Sequence, residues 1–304
     1  MLNEQNDTSG HWFDEAPGGR LWVADYGPPE ADHTIVCLHG MRDHGDSFRA
    51  LVSYFPDSRV LLPDLRGHGR SDWASSYSLV EFVADLRFIS EQLSLKSIDL
   101  VGHSLGGHIA TRYAAYFIDQ VRRLVVIDGF GPPRPPAADD PGRMAASGRA
   151  EVEHRLAPDY QSKPMASVQE AADRLARNNP KLDRSEAFRL AEYGTQAVNG
   201  GVKWAFDVKA QQIWSSFSHR DSEMLLRAIR CPTLVVTGSN GLDYWLGMHP
   251  ELKDQQALYE RELHRRVELV PRGDHWVVEG AGHMVHYDQP EALFRFLATW
   301  LSEK

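Results

Sequence analysis

The stretch that decides the fold is Ile98-Asp99-Leu100-Val101-Gly102-His103-Ser104-Leu105-Gly106-Gly107. Its first part is a short, largely apolar run, which predicts a buried strand, and the apolar spacing over residues 105–121 predicts a helix. Between them lies Gly-His-Ser-Leu-Gly, the G-x-S-x-G pattern of a nucleophile elbow. A five-residue match arises often by chance, but strand and helix flank this one correctly. We therefore interpret Ser104 as a catalytic nucleophile.

The two glycines of this pattern have a steric role. A serine at a sharp strand-to-helix turn holds strained backbone angles, so the residues two before and two after it must lack bulk, as Gly102 and Gly106 do. The helix that begins at Leu105 directs a backbone N–H towards any oxyanion that forms. A second N–H must come from the loop after an earlier strand, and Met41 fits that position.

Strands and helices alternate on both sides of the elbow. Such alternation predicts an α/β fold, with a mostly parallel sheet and helices on both of its faces. The predicted strands are 12–15, 20–26, 34–38, 59–62, 98–101, 124–127, 233–237 and 276–279. The predicted helices of this core are 46–54, 79–93, 105–121, 222–229, 250–264 and 290–301.

The alternation stops at Gly131 and resumes near Ser222. The segment 131–136 is too rich in proline for a core element, and the helical patterns that follow it include no clear strand. We predict an α/β core formed by residues 1–131 and 220–304, with a mostly helical lid (cap) inserted at 132–219. Four aromatic residues of the lid predict a small core of its own, with a wall of the substrate pocket as the second interpretation: Trp204, Phe206, Trp214 and Phe217.

Composition limits the classes of partner. The 304 residues are 42% hydrophobic and 25% charged, which is ordinary for a globular protein. A net charge of −9 argues against nucleic-acid and anionic-membrane partners, since both require a positive surface. No apolar stretch has the length of a membrane span, and residues 1–10 lack the parts of a signal peptide. Cys37 and Cys231 lie in or beside apolar runs, which predicts buried free thiols in a reducing cytoplasm.

A serine hydroxyl alone is a weak nucleophile, so an imidazole must lie within hydrogen-bond reach of it. The chain has 14 histidines, and position must choose among them. His283 follows the last strand through Gly280-Ala281-Gly282, at the sheet edge where open α/β sheets bind ligands. His286 is the rival base but lies nearer the last helix, and a surface loop histidine is the plain alternative for both. We predict that His283 is the base.

The base needs a carboxylate that fixes its tautomer, and two strand ends offer one. Asp128 directly ends the strand after the elbow helix. Asp243 lies in the loop after the next strand, where the acid more often falls, but the commonest position of that acid is occupied by Gly241. The sequence favours Asp128 by a small margin and keeps Asp243 as the alternative acid.

These motifs together resemble the α/β-hydrolase fold and span nearly the whole chain. They are His39-Gly40, Asp64-x-x-Gly67-His68-Gly69-x-Ser71, Gly102-His-Ser-Leu-Gly106, Gly280-Ala-Gly-His283 and Asp288-Gln289-Pro290-Glu291. The lid resembles the serine hydrolase-like branch through Leu175-Ala-Arg-Asn-Asn-Pro-Lys-Leu182, Gly194-Thr195 and Lys203-Trp204-Ala-Phe206-Asp207. The resemblance implies a serine esterase-type hydrolase with a helical cap. Haloalkane dehalogenases, in the same superfamily, often have their acid where Asp128 stands.

The favoured function is hydrolysis of a carboxylic ester, thioester or lactone through an acyl-Ser104 intermediate. Epoxide hydrolases and dehalogenases of this fold attack with a carboxylate, so a serine at position 104 disfavours both. Carbon–carbon bond hydrolysis and perhydrolysis stay open, as does a non-catalytic ligand-binding protein with the same lidded pocket. Since H-E-x-x-H is absent and His283-x-x-His286 lacks a third ligand, a metallohydrolase is disfavoured. We expect no metal, no cofactor, and a small-molecule substrate with an apolar acyl or alcohol part.

Overall fold

Ten β-strands and ten α-helices form in residues 9–131, 140–156, 163–214, 217–247 and 249–303, the part of the chain that the computed structural model describes. The strands are β1 Ser9–Phe13, β2 Leu21–Tyr26, β3 Thr34–Leu38, β4 Arg59–Pro63, β5 Ile98–His103, β6 Val121–Ile127, β7 Thr195–Val198, β8 Gly201–Trp204, β9 Thr233–Gly238 and β10 Gly273–Val278. The helices are α1 Leu79–Gln92, α2 Leu105–Tyr116, α3 Pro141–Leu156, α4 Val168–Asn178, α5 Arg184–Tyr193, α6 His219–Leu226, α7 Leu242–Leu246, α8 Gln256–Val267, α9 Val285–Asp288 and α10 Pro290–Ser302.

Eight of the strands form one sheet in the order β1-β2-β4-β3-β5-β6-β9-β10. The strand pairs β1–β2 and β2–β4 are antiparallel, and every other pair in this sheet is parallel. The predicted α/β fold with a mostly parallel sheet is therefore confirmed. Because β5, β6, β9 and β10 are parallel neighbours, the loops after them meet at one edge of the sheet.

Both faces of the sheet are covered, which explains its continuous apolar strands. Successive side chains of a strand point to opposite faces. In β3, Ile35 and Cys37 pack into a core that includes α10, whereas Val36 packs into the core that includes α1, α2 and α8. All five residues of β3 are buried. Such a strand cannot show the alternating polarity of a half-exposed sheet.

Two predicted helices differ in type or continuity from those in the structure, and the helices predicted at 105–121 and 222–229 have other bounds, Leu105–Tyr116 and His219–Leu226. The helix predicted at 46–54 is a 3₁₀ helix, Gly45–Tyr54. The helix predicted to begin at Pro250 is split into a short 3₁₀ turn, Pro250–Leu252, and α8. Asp254 separates the two with φ +61°, in the left-handed region, so the chain cannot continue as one helix through it.

The segment between β6 and α6 contains a hairpin that the prediction of a mostly helical lid missed. Strands β7 and β8 pair antiparallel to each other and are separate from the large sheet. Asn199 and Gly200 form the turn between them, and Gly200 has φ +86°. Asn-Gly between two short strands is the strongest local signal for such a turn and could have revealed it. Within residues 140–214, no described strand joins the eight-stranded sheet, and the proline-rich segment 132–136 lies outside the described residues.

Side chains and backbone groups connect this segment, here called the cap, to the α/β core. Tyr193 on α5 donates a hydrogen bond of 3.0 Å to Oδ2 of Asp64. The N–H of Asp207 donates to the carbonyl oxygen of Gly67 at 2.7 Å, and the hydroxyl of Tyr77 donates to Oδ2 of Asp207 at 2.8 Å. The cap is thus held over the loop that follows β4. The division of the chain at residues 131 and 220 stays a prediction.

Cys37 and Cys231 are free and buried, as the sequence predicts. In the part of the chain that the structure describes, no helix combines the length and apolarity that crossing a membrane requires.

The close approach of α2 to β3 can be tested with Gly106→Ala. We expect the free energy of unfolding to fall by about 1–3 kcal/mol or more, because overpacking displaces backbone. A Cβ at position 106 would lie 2.1 Å from the carbonyl oxygen of Leu38. Gly148→Ala on α3 is the matched control, since no described atom lies within 4 Å of a Cβ there. It should be neutral or stabilise by up to about 1 kcal/mol, the helix propensity difference. Equal effects of the two variants in urea unfolding would contradict the packing described.

Candidate active site

Ser104 sits on a strained turn between β5 and α2. Its backbone has φ +49° and ψ −113°, a conformation that is rare for any residue but glycine. The turn is crowded, since a Cβ at Gly102 would lie 2.3 Å from the carbonyl oxygen of Gly106. The two glycines of the elbow therefore permit a close contact between strand and helix that any side chain would prevent. Such stored strain is frequent at functional positions.

Asp128 has a second strained backbone, directly after β6. Its φ is +41°, and its N–H donates to the carbonyl oxygen of Val236 in β9 at 2.7 Å. This hydrogen bond extends the pairing of β6 with β9 by one residue, so the sheet itself fixes where the aspartate stands. The side chain is buried, with an exposed fraction of 5%.

His283, in the loop after β10, is hydrogen-bonded to this aspartate. Nδ1 of His283 lies 2.6 Å from Oδ2 of Asp128, and the exposed fraction of each side chain is 5%. The carboxylate can only accept, so Nδ1 carries the proton and Nε2 of the neutral ring has a free lone pair. This arrangement matches the histidine–carboxylate pair that orients the base in serine-hydrolase triads.

The ring of His283 is also held from the side. Tyr244 stacks on it with ring centroids 3.8 Å apart and planes 13° from parallel, and Trp245 meets it edge-on at 5.9 Å. Both aromatics belong to α7, which the sequence analysis treated as a loop. These two rings hold the imidazole of His283 in place. Asp243, the alternative acid, is exposed on the same helix. The structure pairs His283 with Asp128, and the catalytic roles of these residues stay predictions.

Position 241 explains why the chain has a glycine where an aspartate is common. A Cβ at Gly241 would lie 3.7 Å from Oδ2 of Asp128 and 3.1 Å from the hydroxyl of Tyr259. A carboxylate carried by residue 241 would therefore lie close to that of Asp128. Two neighbouring carboxylates repel each other, so they would not both be ionised.

His103, the neighbour of Ser104, connects the nucleophile strand to the histidine loop. Its Nε2 donates to the carbonyl oxygen of His283 at 3.0 Å, and the two rings are 4.9 Å apart. Burial, followed by the nearby rings of His286 and His283, holds the pKa of His103 well below its usual 6.5. His103 is therefore neutral at physiological pH and serves as a fixed donor. Its bond ties the His283 loop to the residue that precedes Ser104.

The rival base, His286, lies behind the site. It is 3% exposed and stacks on Phe48 with ring centroids 4.8 Å apart. Ligand atoms of His286, His103 and Asp43 lie within 4.8 Å of one another, a group of three that could hold a metal ion. Two imidazoles and one carboxylate match the ligand number of a catalytic zinc site, and of these three residues only Asp43 lines the cavity described below. Asp43 also accepts a hydrogen bond of 2.9 Å from Tyr287.

The predicted oxyanion donors belong to two different loops. Leu105 is the first residue of α2, where backbone N–H groups lack partners within the helix. Met41 follows β3 by three residues and lines the cavity beside His283. His39 fixes this second loop: its Nδ1 donates to the carbonyl oxygen of Gly40 at 2.7 Å, and its Nε2 accepts from the N–H of Leu65 at 2.9 Å.

A cavity of about 730 Å³ opens beside His283, between core and cap. Its apolar wall includes Met41, Tyr244 and three cap residues, Leu175, Trp204 and Phe206. Trp204 and Phe206 stack with centroids 6.3 Å apart. The four lid aromatics thus form two pairs rather than one lid core, because Trp214 and Phe217 pack with each other and with His108. Trp204 packs against a small lid core and also lines the cavity, so the structure supports both interpretations for it, and Phe206 lines the cavity.

The family model described as "Alpha/beta hydrolase family" matches residues 35–296, which include the elbow and the His283 loop. The chain belongs to the alpha/beta hydrolase family. Lipase LipV of Mycobacterium tuberculosis is 31% identical over 245 residues, which cover 77% of this chain and 88% of the lipase. A serine hydrolase-like protein of Danio rerio is 28% identical over 195 residues, 63% of this chain. That match spans only 58% of the zebrafish protein.

The solved structures agree with this family in fold. The thioesterase domain from the curacin biosynthetic pathway superposes with a TM-score of 0.81 at 22% identity, over 96% of this chain and 99% of that domain. The resemblance to an α/β-hydrolase of the serine hydrolase-like branch, predicted from the motifs, is confirmed. The protein is accordingly a hydrolase of this superfamily.

The pairing of His283 with Asp128 predicts unequal effects of two neutral substitutions. Asp128→Asn should lower kcat by roughly ten-thousandfold, the loss seen when a triad loses its carboxylate. Asp243→Asn should retain most of the wild-type rate, because His283 Nδ1 keeps its partner. Both rates are measured on one 4-nitrophenyl ester at neutral pH, with circular dichroism to verify folding. A crippled Asp243→Asn beside a nearly normal Asp128→Asn would identify Asp243 as the acid.

Buried neutral histidines predict loss of stability in acid. Burial, followed by the charge of His68, lowers the pKa of His39 from 6.5 to about 3, and burial lowers that of His68 to about 4. Between pH 6.5 and 4 the unfolded chain binds these protons and the folded chain does not. The free energy of unfolding should therefore fall as pH decreases through this window, by about 1.4 kcal/mol per pH unit for each group.

Denaturant unfolding from pH 7 to 4.5 measures this slope. His68→Asn should flatten it by about 1.4 kcal/mol per pH unit, the share of one proton. The same substitution at exposed His264 controls for the change in composition. An unchanged slope in His68→Asn would show that this histidine is not kept neutral by the fold.

Proposed function

We propose that the protein hydrolyses a carboxylic ester, thioester or lactone through an acyl-Ser104 intermediate. The observation that carries the proposal is the buried hydrogen bond of 2.6 Å between His283 and Asp128, at the sheet edge where the strained Ser104 also lies. Asp128 fixes the tautomer of His283 and leaves Nε2 as the base. The His103 bond to the backbone of His283 supports this placement of the imidazole beside Ser104.

The steps follow from these positions. Ser104 Oγ attacks the acyl carbon while His283 Nε2 accepts its proton, and the carbonyl oxygen becomes an oxyanion that the N–H groups of Met41 and Leu105 stabilise. The tetrahedral intermediate collapses, and His283 gives the proton to the departing alcohol or thiol. Water then attacks the acyl-serine with the same base, releasing the acid and restoring Ser104.

The cap and the cavity support a small-molecule substrate with an apolar acyl or alcohol part. Trp204, Phe206 and Leu175 face the same space as His283, so an apolar chain can lie against the cap while its carbonyl reaches the elbow. The free thiols of Cys37 and Cys231 support the location in a reducing cytoplasm that the sequence predicts.

Labelling with a fluorophosphonate tests the activated serine. Wild-type protein should be labelled at Ser104, and a series of 4-nitrophenyl esters of graded length, with lactones added, should show turnover. Ser104→Ala should lose labelling and lower kcat by about 10⁴-fold or more. Ser53→Ala is the matched control, since Ser53 is exposed and bonds only the carbonyl oxygen of Ala50 within the described residues. Equal labelling of Ser104→Ala and wild type would refute the mechanism, and absence of labelling in both would favour a non-catalytic binding protein.

A further inference from the structure

Arg42 occupies an unusual place beside the site. It directly follows Met41, its φ is +64°, and its side chain is exposed and lines the cavity that holds His283. A long, non-glycine residue in the left-handed region is strained, and such strain persists only where the surrounding structure imposes it. The backbone thus holds the side chain of Arg42 at the cavity beside the proposed oxyanion donor.

Among the described residues, the partners of the Arg42 guanidinium are neutral. Its Nη2 donates to Oε1 of Gln211 at 2.8 Å, and its central carbon lies 6.0 Å from the ring centroid of Phe206. Within the described residues no carboxylate oxygen forms an ion pair with it. Buried Arg66, by contrast, forms one with Asp85 at 2.6 Å. Gln211 and Phe206 therefore orient the Arg42 guanidinium without neutralising it, and several of its five N–H donors stay available.

A second cation comes from the cap. Lys181, between α4 and α5, lines the same cavity and donates through Nζ to the backbone carbonyl oxygen of Gly280. In the ranges that the structure describes, no carboxylate pairs with it either. Arg42 and Lys181 thus contribute positive charge from the core side and the cap side of one space.

Most of the acidic residues that line the cavity are turned to other partners. Asp43 accepts from Tyr287 and faces His286, behind the site. Asp288 accepts from the N–H of Gly282 at 2.7 Å. Asp243 is exposed on α7 and is the acid that faces solvent at this cavity. The apolar wall between the charges lowers the local dielectric, which strengthens the attraction of a bound anion to an unpaired guanidinium.

We propose that Arg42, assisted by Lys181, binds a carboxylate carried by the acyl part of the substrate. The substrate class is then an ester or thioester whose acyl chain has a carboxylate at its far end and a short apolar spacer. The guanidinium is planar and offers paired N–H donors, which match a carboxylate better than a point charge does. This inference rests on the proposed function, because it names the substrate of the same Ser104 site.

The test compares two esters that differ only at the end of the acyl chain. Mono-4-nitrophenyl adipate has a terminal carboxylate where 4-nitrophenyl hexanoate has a methyl group. Wild type should have the higher kcat/KM on the adipate ester, and Arg42→Gln should lower the adipate-to-hexanoate ratio by about 10- to 100-fold, the range for one charge-assisted hydrogen-bonded pair. Lys181→Gln should lower the ratio less. Arg295→Gln, on the exposed side of α10 and outside the cavity, should leave it unchanged.

Salt and substrate binding give two further measurements. The preference for the adipate ester should weaken as ionic strength rises, because salt screens the attraction. Ser104→Ala protein should bind monomethyl adipate more tightly than methyl hexanoate in calorimetry, and Arg42→Gln in that background should remove the difference. Because this binding measurement does not require turnover, it tests the anion site at Arg42 separately from the acyl-Ser104 mechanism.

Two results would overturn the assignment of Arg42. One is a wild-type ratio at or below one that Arg42→Gln does not change. The other is equal binding of the two methyl esters by Ser104→Ala protein. If wild-type protein hydrolysed none of the esters while Ser104→Ala protein still bound monomethyl adipate selectively, the acyl-Ser104 mechanism would be refuted and the anion site would be retained.

Discussion

The hydrogen bond between His283 and Asp128 depends on the register of four parallel strands. The N–H of Asp128 donates to the carbonyl oxygen of Val236, and the carbonyl oxygen of His283 accepts from Nε2 of His103. Both partners are therefore positioned through their backbone. Ser104 extends the same strand as His103. A shift of one of these strands by a single residue would therefore displace its candidate catalytic residue from the other two. The parallel sheet is what allows a serine, an aspartate and a histidine far apart in sequence to meet.

Behind this edge lies a polar layer that the chemistry does not touch. His103, His286 and Asp43 come from three different segments, each adjacent to one that holds a candidate catalytic group. All three are buried, and each imidazole packs against another ring. The buried ring of His103 is held neutral, so it donates its hydrogen bond without the desolvation cost of a charge. The layer ties the loops after β3, β5 and β10 together.

Much of this arrangement could be predicted from the sequence, because it depends on local chemistry. G-x-S-x-G dictates a strained turn, and continuous apolar runs dictate strands buried on both faces, so the fold and the positions of Ser104 and His283 follow. The role of Tyr244 could not be predicted, since stacking on His283 depends on where α7 lies relative to the loop after β10. Arg42 likewise has no motif: its exposure follows from the left-handed backbone that the structure shows. The β7–β8 hairpin was missed although its Asn-Gly turn was visible.

The closeness of position 241 to the carboxylate of Asp128 has a consequence for how such sites change over evolutionary time. His283 responds to the location of a carboxylate oxygen and not to the strand that carries it. Because a Cβ at position 241 would lie 3.7 Å from Oδ2 of Asp128, the acid could be exchanged between the loops after β6 and β9 through an intermediate that holds both, one of them protonated. The imidazole and the elbow would not have to move. In a lineage with this geometry, the order of the catalytic residues along the chain would reflect descent, because either order would serve the same mechanism.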